Sequence, residues 1–191
     1  MGSGTLTRAG EEWAVEIERV ESAAPPPDLV LAVGAGDRDR FTWLVEKAAE
    51  LGVTTVVPID TDRTAGVGAR LTVKHVEKLR RQALEAIKQS GASWATVIED
   101  PVALERFLSA PRRGQKWLAD AAGESPAWAL ESDPVIVLVG PEGGLSASER
   151  EAVMAAGYHP IKLGAHTLRF ETAAIVAAAV VNAARLRGTD G

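Results

Sequence analysis

The groups best placed to do chemistry in this chain are backbone amides and carbonyls at two glycine turns. Gly140-Pro141-Glu142-Gly143-Gly144 ends the aliphatic run Val135 to Val139, and Gly164 ends the short strand expected from Pro160 to Leu163. Glycine admits backbone conformations closed to residues with a Cβ and lets a ligand come close to the main chain. Two such turns after buried strands can supply donors and acceptors to an adenosine-like ligand without charged side chains. A purely structural strand-to-helix turn uses the same residues, so the motif leaves both readings open. The chain has no cysteine, which excludes disulfides, thiolate metal sites and a thiol nucleophile. Its three histidines, His75, His159 and His166, show no paired spacing, and we expect no metal site.

The elements that must hold those turns read as repeated strand and helix. Val135 to Val139 is aliphatic throughout, the pattern of a strand buried on both faces in the middle of a parallel sheet. Ser146 and Glu149 form a capping box, predicting a helix through Ala156 that stops at Gly157. Upstream, Leu29 to Val33 predicts a strand, Phe41 to Ala49 a helix closed by Gly52, and Val53 to Ile59 another strand. Gly34-Ala35-Gly36 invites a dinucleotide reading, but Asp39 occupies the position of the third glycine, so the fingerprint fails and a turn is expected. Val76, Leu79, Ala83, Leu84 and Ile87 mark a helix ending near Gly91. Trp94 to Ile98 and Gln115 to Ala119 read as strands, Pro101 to Leu108 as a short helix, and a helical piece is expected around Trp128. From Thr172 to Arg187 the chain is a helix rich in Ala and Val, small enough for close packing onto a sheet or a partner helix. The five tryptophans are most simply core or interface residues.

Before Asp28 the organisation is different. Met1 to Gly4 carries no fold information, Glu12 to Val20 alternates as a half-buried strand, and Ala23 to Pro27 is a stiff linker. No apolar stretch is long enough to span a bilayer and no secretory pattern opens the chain, which predicts a cytoplasmic protein with no membrane partner. The formal net charge of −5 does not favour nucleic acid as a whole-molecule partner, so any such contact needs a local basic patch. One concentration of positive charge lies on the polar face of the helix that ends near Gly91: Lys74, Lys78, Arg80, Arg81 and Lys88, diluted by Glu77 and Glu85. The polar loop Asp60 to Arg70 adds Arg63 as a candidate contact at the carboxyl end of a strand.

The turn Gly140 to Ser146, followed by Leu163-Gly164, Leu168-Arg169 and Glu171-Thr172-Ala173, resembles the signature of the ribosomal RNA small subunit methyltransferase E family. Glu46-Lys47, Glu50 to Val53, Pro58, Asp62-Arg63 and Gln89-Ser90 add matches in the same order, so the resemblance spans roughly Asp28 to Arg187. It implies an α/β fold of the SPOUT class, a parallel sheet flanked by helices with a C-terminal trefoil knot that periodicity could not have predicted. It implies S-adenosyl-L-methionine as methyl donor, a homodimer, and methylation of uridine N3 in 16S rRNA or the small ribosomal subunit. The cofactor residues carried over are Leu138, Gly140, Glu142, Gly143, Gly144, Leu163, Gly164, Leu168, Glu171, Thr172 and Ala173. Arg63, Lys78, Arg81, Lys88 and His166 are the expected RNA contacts. Family members begin with a PUA-like β-barrel, and here only Glu12 to Val20 resembles its end. The chain therefore divides into a tail, 1–27, and a SPOUT methyltransferase domain, 28–191. Lys88, Ala92 and His166 depart from the family pattern, the last two replacing arginines and so removing phosphate contacts. The alternatives are a SPOUT protein that acts on another RNA with a separate RNA-binding partner, and a non-catalytic RNA-binding or assembly factor.

Given that resemblance, the chemistry narrows. Uracil N3 is a poor nucleophile while protonated, so its methylation needs the proton removed or the resulting anion stabilised. Arg169 is expected to orient the base and stabilise negative charge on the uracil oxygens, the alternative being an arginine that only ties the knot to the main chain. Glu171 at the start of the last helix reads more as a cap than as a base.

Overall fold

A computed structural model of the chain describes residues 2–20, 22, 24–64, 71–125 and 134–188. The end of the loop at Arg70 and the helical piece expected around Trp128 lie outside these residues. The chain opens with an antiparallel hairpin, β1 (Gly2–Ala9) and β2 (Glu12–Val20), paired in the register Leu6 opposite Val15 and Arg8 opposite Trp13. This corrects two expectations. Gly2 to Gly4 are the first part of a strand rather than uninformative, and β2 is exposed along its whole length rather than half-buried.

The remainder is a seven-stranded parallel sheet in the order β5-β4-β3-β8-β7-β9, with β6 on the far end of β4. Its strands are β3 (Leu29–Gly34), β4 (Thr55–Asp60), β5 (Val97–Ile98), β6 (Val102–Ala103), β7 (Gln115–Glu124), β8 (Val135–Val139) and β9 (His159–Ile161). The helices are α1 (Arg38–Glu50), α2 (Val73–Ser90), α3 (Leu104–Ser109), α4 (Ala147–Ala155) and α5 (Phe170–Gly188). Alternation explains why β3 and β8 are aliphatic at every position. Leu29, Leu31, Val33, Val135, Val137 and Val139 pack in one core with residues of α1, α2 and α5. Val30, Ala32, Ile136 and Leu138 pack in a second core with residues of α3 and α4. A strand covered on both faces has no polar side to show, the usual state of a central parallel strand.

Local chemistry sets the helix boundaries. Asp37 caps α1 by accepting from the amides of Asp39 and Arg40 at 3.1 and 3.0 Å. Ser146 and Glu149 form the reciprocal capping box that starts α4. Gly91 takes a left-handed conformation, φ +70°, to stop α2. Tertiary pairing overrode local preference in one place. The helix expected from Pro101 begins only at Leu104, because Val102 and Ala103 pair with Ile59 and Asp60. The strand expected from Trp94 is confined to Val97–Ile98. In α5 the small residues Ala174, Ala177, Ala178 and Val181 are fully buried against this chain's own core, which leaves only the opposite face for a partner. Trp117 is buried, whereas Trp13, Trp43 and Trp94 are exposed.

The sheet order places the site. The chain winds outward from β3 to β4 and beyond, then returns on the other side through β7, with β8 inserted between β7 and β3. Ligand crevices in open parallel sheets open at the carboxyl ends of strands where the winding direction reverses. There the exit turn of β8 crosses the end of β3 so closely that a Cβ on Gly34 would stand 2.5 Å from the Pro141 nitrogen and 2.6 Å from its Cδ. Gly34→Ala should therefore destabilise the fold by about 1–3 kcal/mol, the usual range for overpacking. Urea unfolding measures this, and an unchanged midpoint would show that the two turns can part without cost.

The fold also buries His75 in the first turn of α2, 7% exposed and with Nε2 unpartnered among the described residues. Burial lowers its pKa, reinforced by the neighbouring Arg38 and Lys78 and opposed by Asp39. The folded chain thus binds this proton less readily than the unfolded chain, so stability should fall as pH drops through the ordinary histidine value of 6.5. Unfolding midpoints between about pH 7.5 and about pH 5.5 should fall for the wild type and fall less for His75→Gln. Parallel pH profiles for the two proteins would contradict this.

Candidate functional site

Two cavities meet at the turn after β8. The first, about 470 Å³, lies between the Gly140–Gly144 turn, the carboxyl end of β7 and the segment that runs from Leu163 into α5. Its walls are mainly apolar, with Leu118, Ala119, Val139, Leu145, Leu163, Leu168 and Ala173, and its polar groups stand at Asp120, Glu142, Arg150, His166, Thr167 and Arg169. The second, about 480 Å³, lies on the other side of the same turn, between it, the start of α1 and the short turn after β4. Arg40, Arg63, Asp37, Thr64, Glu142 and Gly143 line it. Pro141 and Glu142 belong to both.

The turn is held from several sides. Gly144 donates its amide to the Pro141 carbonyl at 2.8 Å and adopts φ +69°, a conformation that favours glycine. Arg63 lays its stem on Gly143 and donates to the Gly143 carbonyl. Asp62 accepts from the Ser146 hydroxyl at 2.8 Å, and its own amide donates to Glu149 at 2.7 Å, which ties the loop after β4 to the start of α4. Arg40 on α1 donates to Glu142 at 2.8 Å and stands 3.9 Å from Glu171 on α5. Glu171 is 7% exposed, and its Oε2 has no partner among the described residues. At the other edge of the first cavity Arg150 and Asp120 form an ion pair.

The geometry sorts the residues expected from sequence. Gly140, Glu142, Gly144, Leu163, Gly164, His166, Leu168, Arg169 and Ala173 come together around the first cavity. Gly143 and Arg63 fall on the second. Leu138, Glu171 and Thr172 line neither; Leu138 is a buried core residue facing α3 and α4, and Glu171 interacts with Arg40. Lys78, Arg81 and Lys88 lie along α2, away from both cavities, and Lys88 is paired with Glu85 at 2.7 Å. Arg169 is exposed, and among the described residues its side chain makes no ion pair or hydrogen bond that would tether it to the main chain. Asp120, Arg150 and Arg40 were missed. Asp120 follows the predicted end of its strand at Ala119, so the rule that ligands sit beyond strand carboxyl ends could have found it. The Arg40 contact joins residues 102 apart and left no local trace.

An open parallel sheet with an apolar, glycine-walled cavity at its switch point defines an α/β protein built to hold a small nucleoside-like molecule, with cationic side chains around it. Comparison with known proteins makes this specific. The RNA methyltransferase domain family matches residues 23–182, and this chain belongs to that family. The ribosomal RNA small subunit methyltransferase E of Aquifex aeolicus is 33% identical over 163 residues, covering 83% of this chain and 70% of that protein. The chain spans between 64% and 70% of the length of that protein and its counterparts from Synechocystis and Rickettsia conorii. Among solved structures, a probable rRNA-methyltransferase from Porphyromonas gingivalis superposes with TM-score 0.85 at 26% identity, covering 98% of this chain and 81% of its own. A Legionella pneumophila protein described as a methyltransferase, solved with the bound cofactor SAM, gives 0.79 at 26% identity, covering 96% and 78%.

Proposed function

We propose that this chain transfers the methyl group of S-adenosyl-L-methionine to N3 of a uridine in 16S rRNA. The observation that carries the reading is the first cavity, apolar and walled by two glycine turns, in a chain of the RNA methyltransferase family. The SAM complex of the Legionella relative and the names of the rRNA methyltransferase E relatives support the donor and the RNA class.

The lining fits the donor. Leu118, Leu145, Leu163 and Leu168 offer apolar contact to an adenine ring and a thioether, while the Asp120 carboxylate can accept from ribose hydroxyls or from the amine. Gly140, Gly144 and Gly164 line the same cavity, and without a Cβ they let the adenine edge come close to main-chain carbonyls that can accept from its amine. When bound, the sulfonium supplies an electrophilic methyl that needs positioning more than activation. Arg169 reaches the same cavity with its guanidinium uncommitted, and it is the group we assign to orienting the base and stabilising charge on its oxygens. Lys78 and Arg81 on α2, with Arg63 and His166 nearer the cavities, are the proposed phosphate contacts. The reading extends to a trefoil knot. It is supported by the family match over residues 23–182; an experimental chain trace through residues 120–170 decides it.

Methyl transfer to small-subunit rRNA with mass-spectrometric mapping tests the function. Gly144→Val should weaken SAM binding by about tenfold or more, roughly 1.4 kcal/mol, since a β-branched residue at φ +69° is strained and fills the approach to the backbone. Arg169→Ala should keep SAM affinity and lose roughly 100- to 1000-fold in transfer rate. Equal SAM affinity of Gly144→Val, or full activity of Arg169→Ala, would remove the respective assignment.

The same reading includes a homodimer formed through the outer face of α5, where Ala179 and Ala183 are exposed and Ile175 and Val176 half-buried, together with α4. Sedimentation at micromolar concentration should show two copies. A fully active monomer would contradict it.

A further inference from the structure

We propose that Glu142 takes the N3 proton of the target uridine, with the second cavity receiving the base edge that presents it. The inference rests on the reading of the chain as a uridine N3-methyltransferase. Among the described residues Glu142 is the one carboxylate that lines both cavities, so a base edge at Glu142 stands at their border with the methyl donor's place on the other side. Its two oxygens are not equivalent. Oε1 accepts from Arg40 at 2.8 Å, which fixes the side chain, while Oε2 has no partner among the described residues.

The surrounding groups complement uracil. Its edge carries two carbonyl oxygens flanking N3–H, and the border offers guanidinium donors from Arg63 on one side and Arg169 on the other with a carboxylate acceptor at Glu142. Cytosine, with an unprotonated N3, would set lone pair against carboxylate and is disfavoured by the same groups. The remaining charged neighbours are Asp37 and Arg40 at the start of α1, Glu171 on α5 at 3.9 Å from Arg40, and the Asp120–Arg150 ion pair with His166 across the first cavity. The step balances: the N3–H bond breaks with its proton passing to Glu142 Oε2, the N3–methyl bond forms as the sulfur–methyl bond breaks, and the thioether leaves neutral. The Glu142 side chain is 47% exposed and can then release the proton to water. Arg40 is a positioning residue in this scheme, holding Oε1 so that Oε2 is the free acceptor.

The test compares wild type with Glu142→Gln, which keeps shape and the acceptor for Arg40 but cannot take a proton. Three readouts are needed: SAM affinity by calorimetry, single-turnover rates on small-subunit rRNA across pH, and the same rates on rRNA transcribed with 5-fluorouridine, whose N3 is more acidic. Glu142→Gln should bind SAM like the wild type and lose roughly 100- to 10,000-fold in rate at neutral pH. The loss should shrink as pH rises and shrink again on the fluorinated RNA, because each supplies the N3 anion without a base. A wild-type rate for Glu142→Gln, or a deficit unchanged by pH and by fluorine, overturns the proposal. So does weaker SAM binding with the saturated rate intact, which would make Glu142 a donor-binding residue. If the wild type forms no N3-methyluridine, the functional reading falls and the inference with it; if the wild type does, only the inference is at stake.

Discussion

The contact on which the site depends is the crossing of Pro141 over Gly34. Two parallel strands that are neighbours in the sheet both end here, and the exit of β8 can turn across the end of β3 only because β3 finishes without a side chain. That crossing makes the Gly140–Gly144 turn a thin partition with open space on both sides. A bulkier residue at position 34 would push the partition away from α1, and with it Glu142 away from Arg40. The same economy recurs at Gly36, where a Cβ would stand 2.6 Å from the Phe170 ring, so the start of α5 closes directly on the turn after β3. Backbone proximity, set by three widely separated parts of the chain, is thus the precondition for everything the side chains do.

Charge is laid over that frame sparingly. Arg40 reaches both Glu142 in the first glycine turn and Glu171 at the head of α5, linking that turn to the last helix. These groups are too exposed on the Arg40 and Glu142 side for the pair to add much stability, so its effect is orientation. Arg63 acts similarly on Gly143 through its stem and its guanidinium. The molecule as a whole is acidic, and the exposed cations of α2 are partly neutralised, Arg80 by Asp100 and Lys88 by Glu85. RNA affinity from this chain alone should accordingly be modest and only shallowly salt-dependent, since few phosphate contacts are available.

What could be read from the sequence was what local physics decides. The aliphatic run Val135 to Val139, the Ser146–Glu149 box, and the stops at Gly91 and Gly157 were legible because each depends on neighbours in the chain. The SPOUT-like signature gathered Gly140, Gly144, Leu163, Gly164, Leu168 and Arg169 around the first cavity, while Gly143 fell on the second and Leu138, Glu171 and Thr172 on neither. Other features were hidden because their causes lie far away in sequence. Val102 and Ala103 are drawn into the sheet by β4, the Gly-Ser-Gly start of β1 is a strand only because β2 pairs with it, and the Arg40–Glu142 contact joins α1 to β8. Leu138 was assigned to the donor because it sits in the motif, yet strand alternation turns its side chain into the opposite core. A motif gives proximity in sequence; the pleat decides which face a side chain serves.

In the proposed arrangement the turn after β8 partitions a methyl-donor cavity from a second cavity beside α1. A crystal structure of the chain with S-adenosylhomocysteine tests it most directly. The adenosine and thioether should lie in the cavity lined by Gly140, Gly144, Leu163 and Leu168, with backbone groups on the adenine, Asp120 within reach of the ribose or the amine, and the second cavity beside Arg40 and Arg63 left open. Ligand seated in the second cavity beside Arg40 and Arg63 would contradict it.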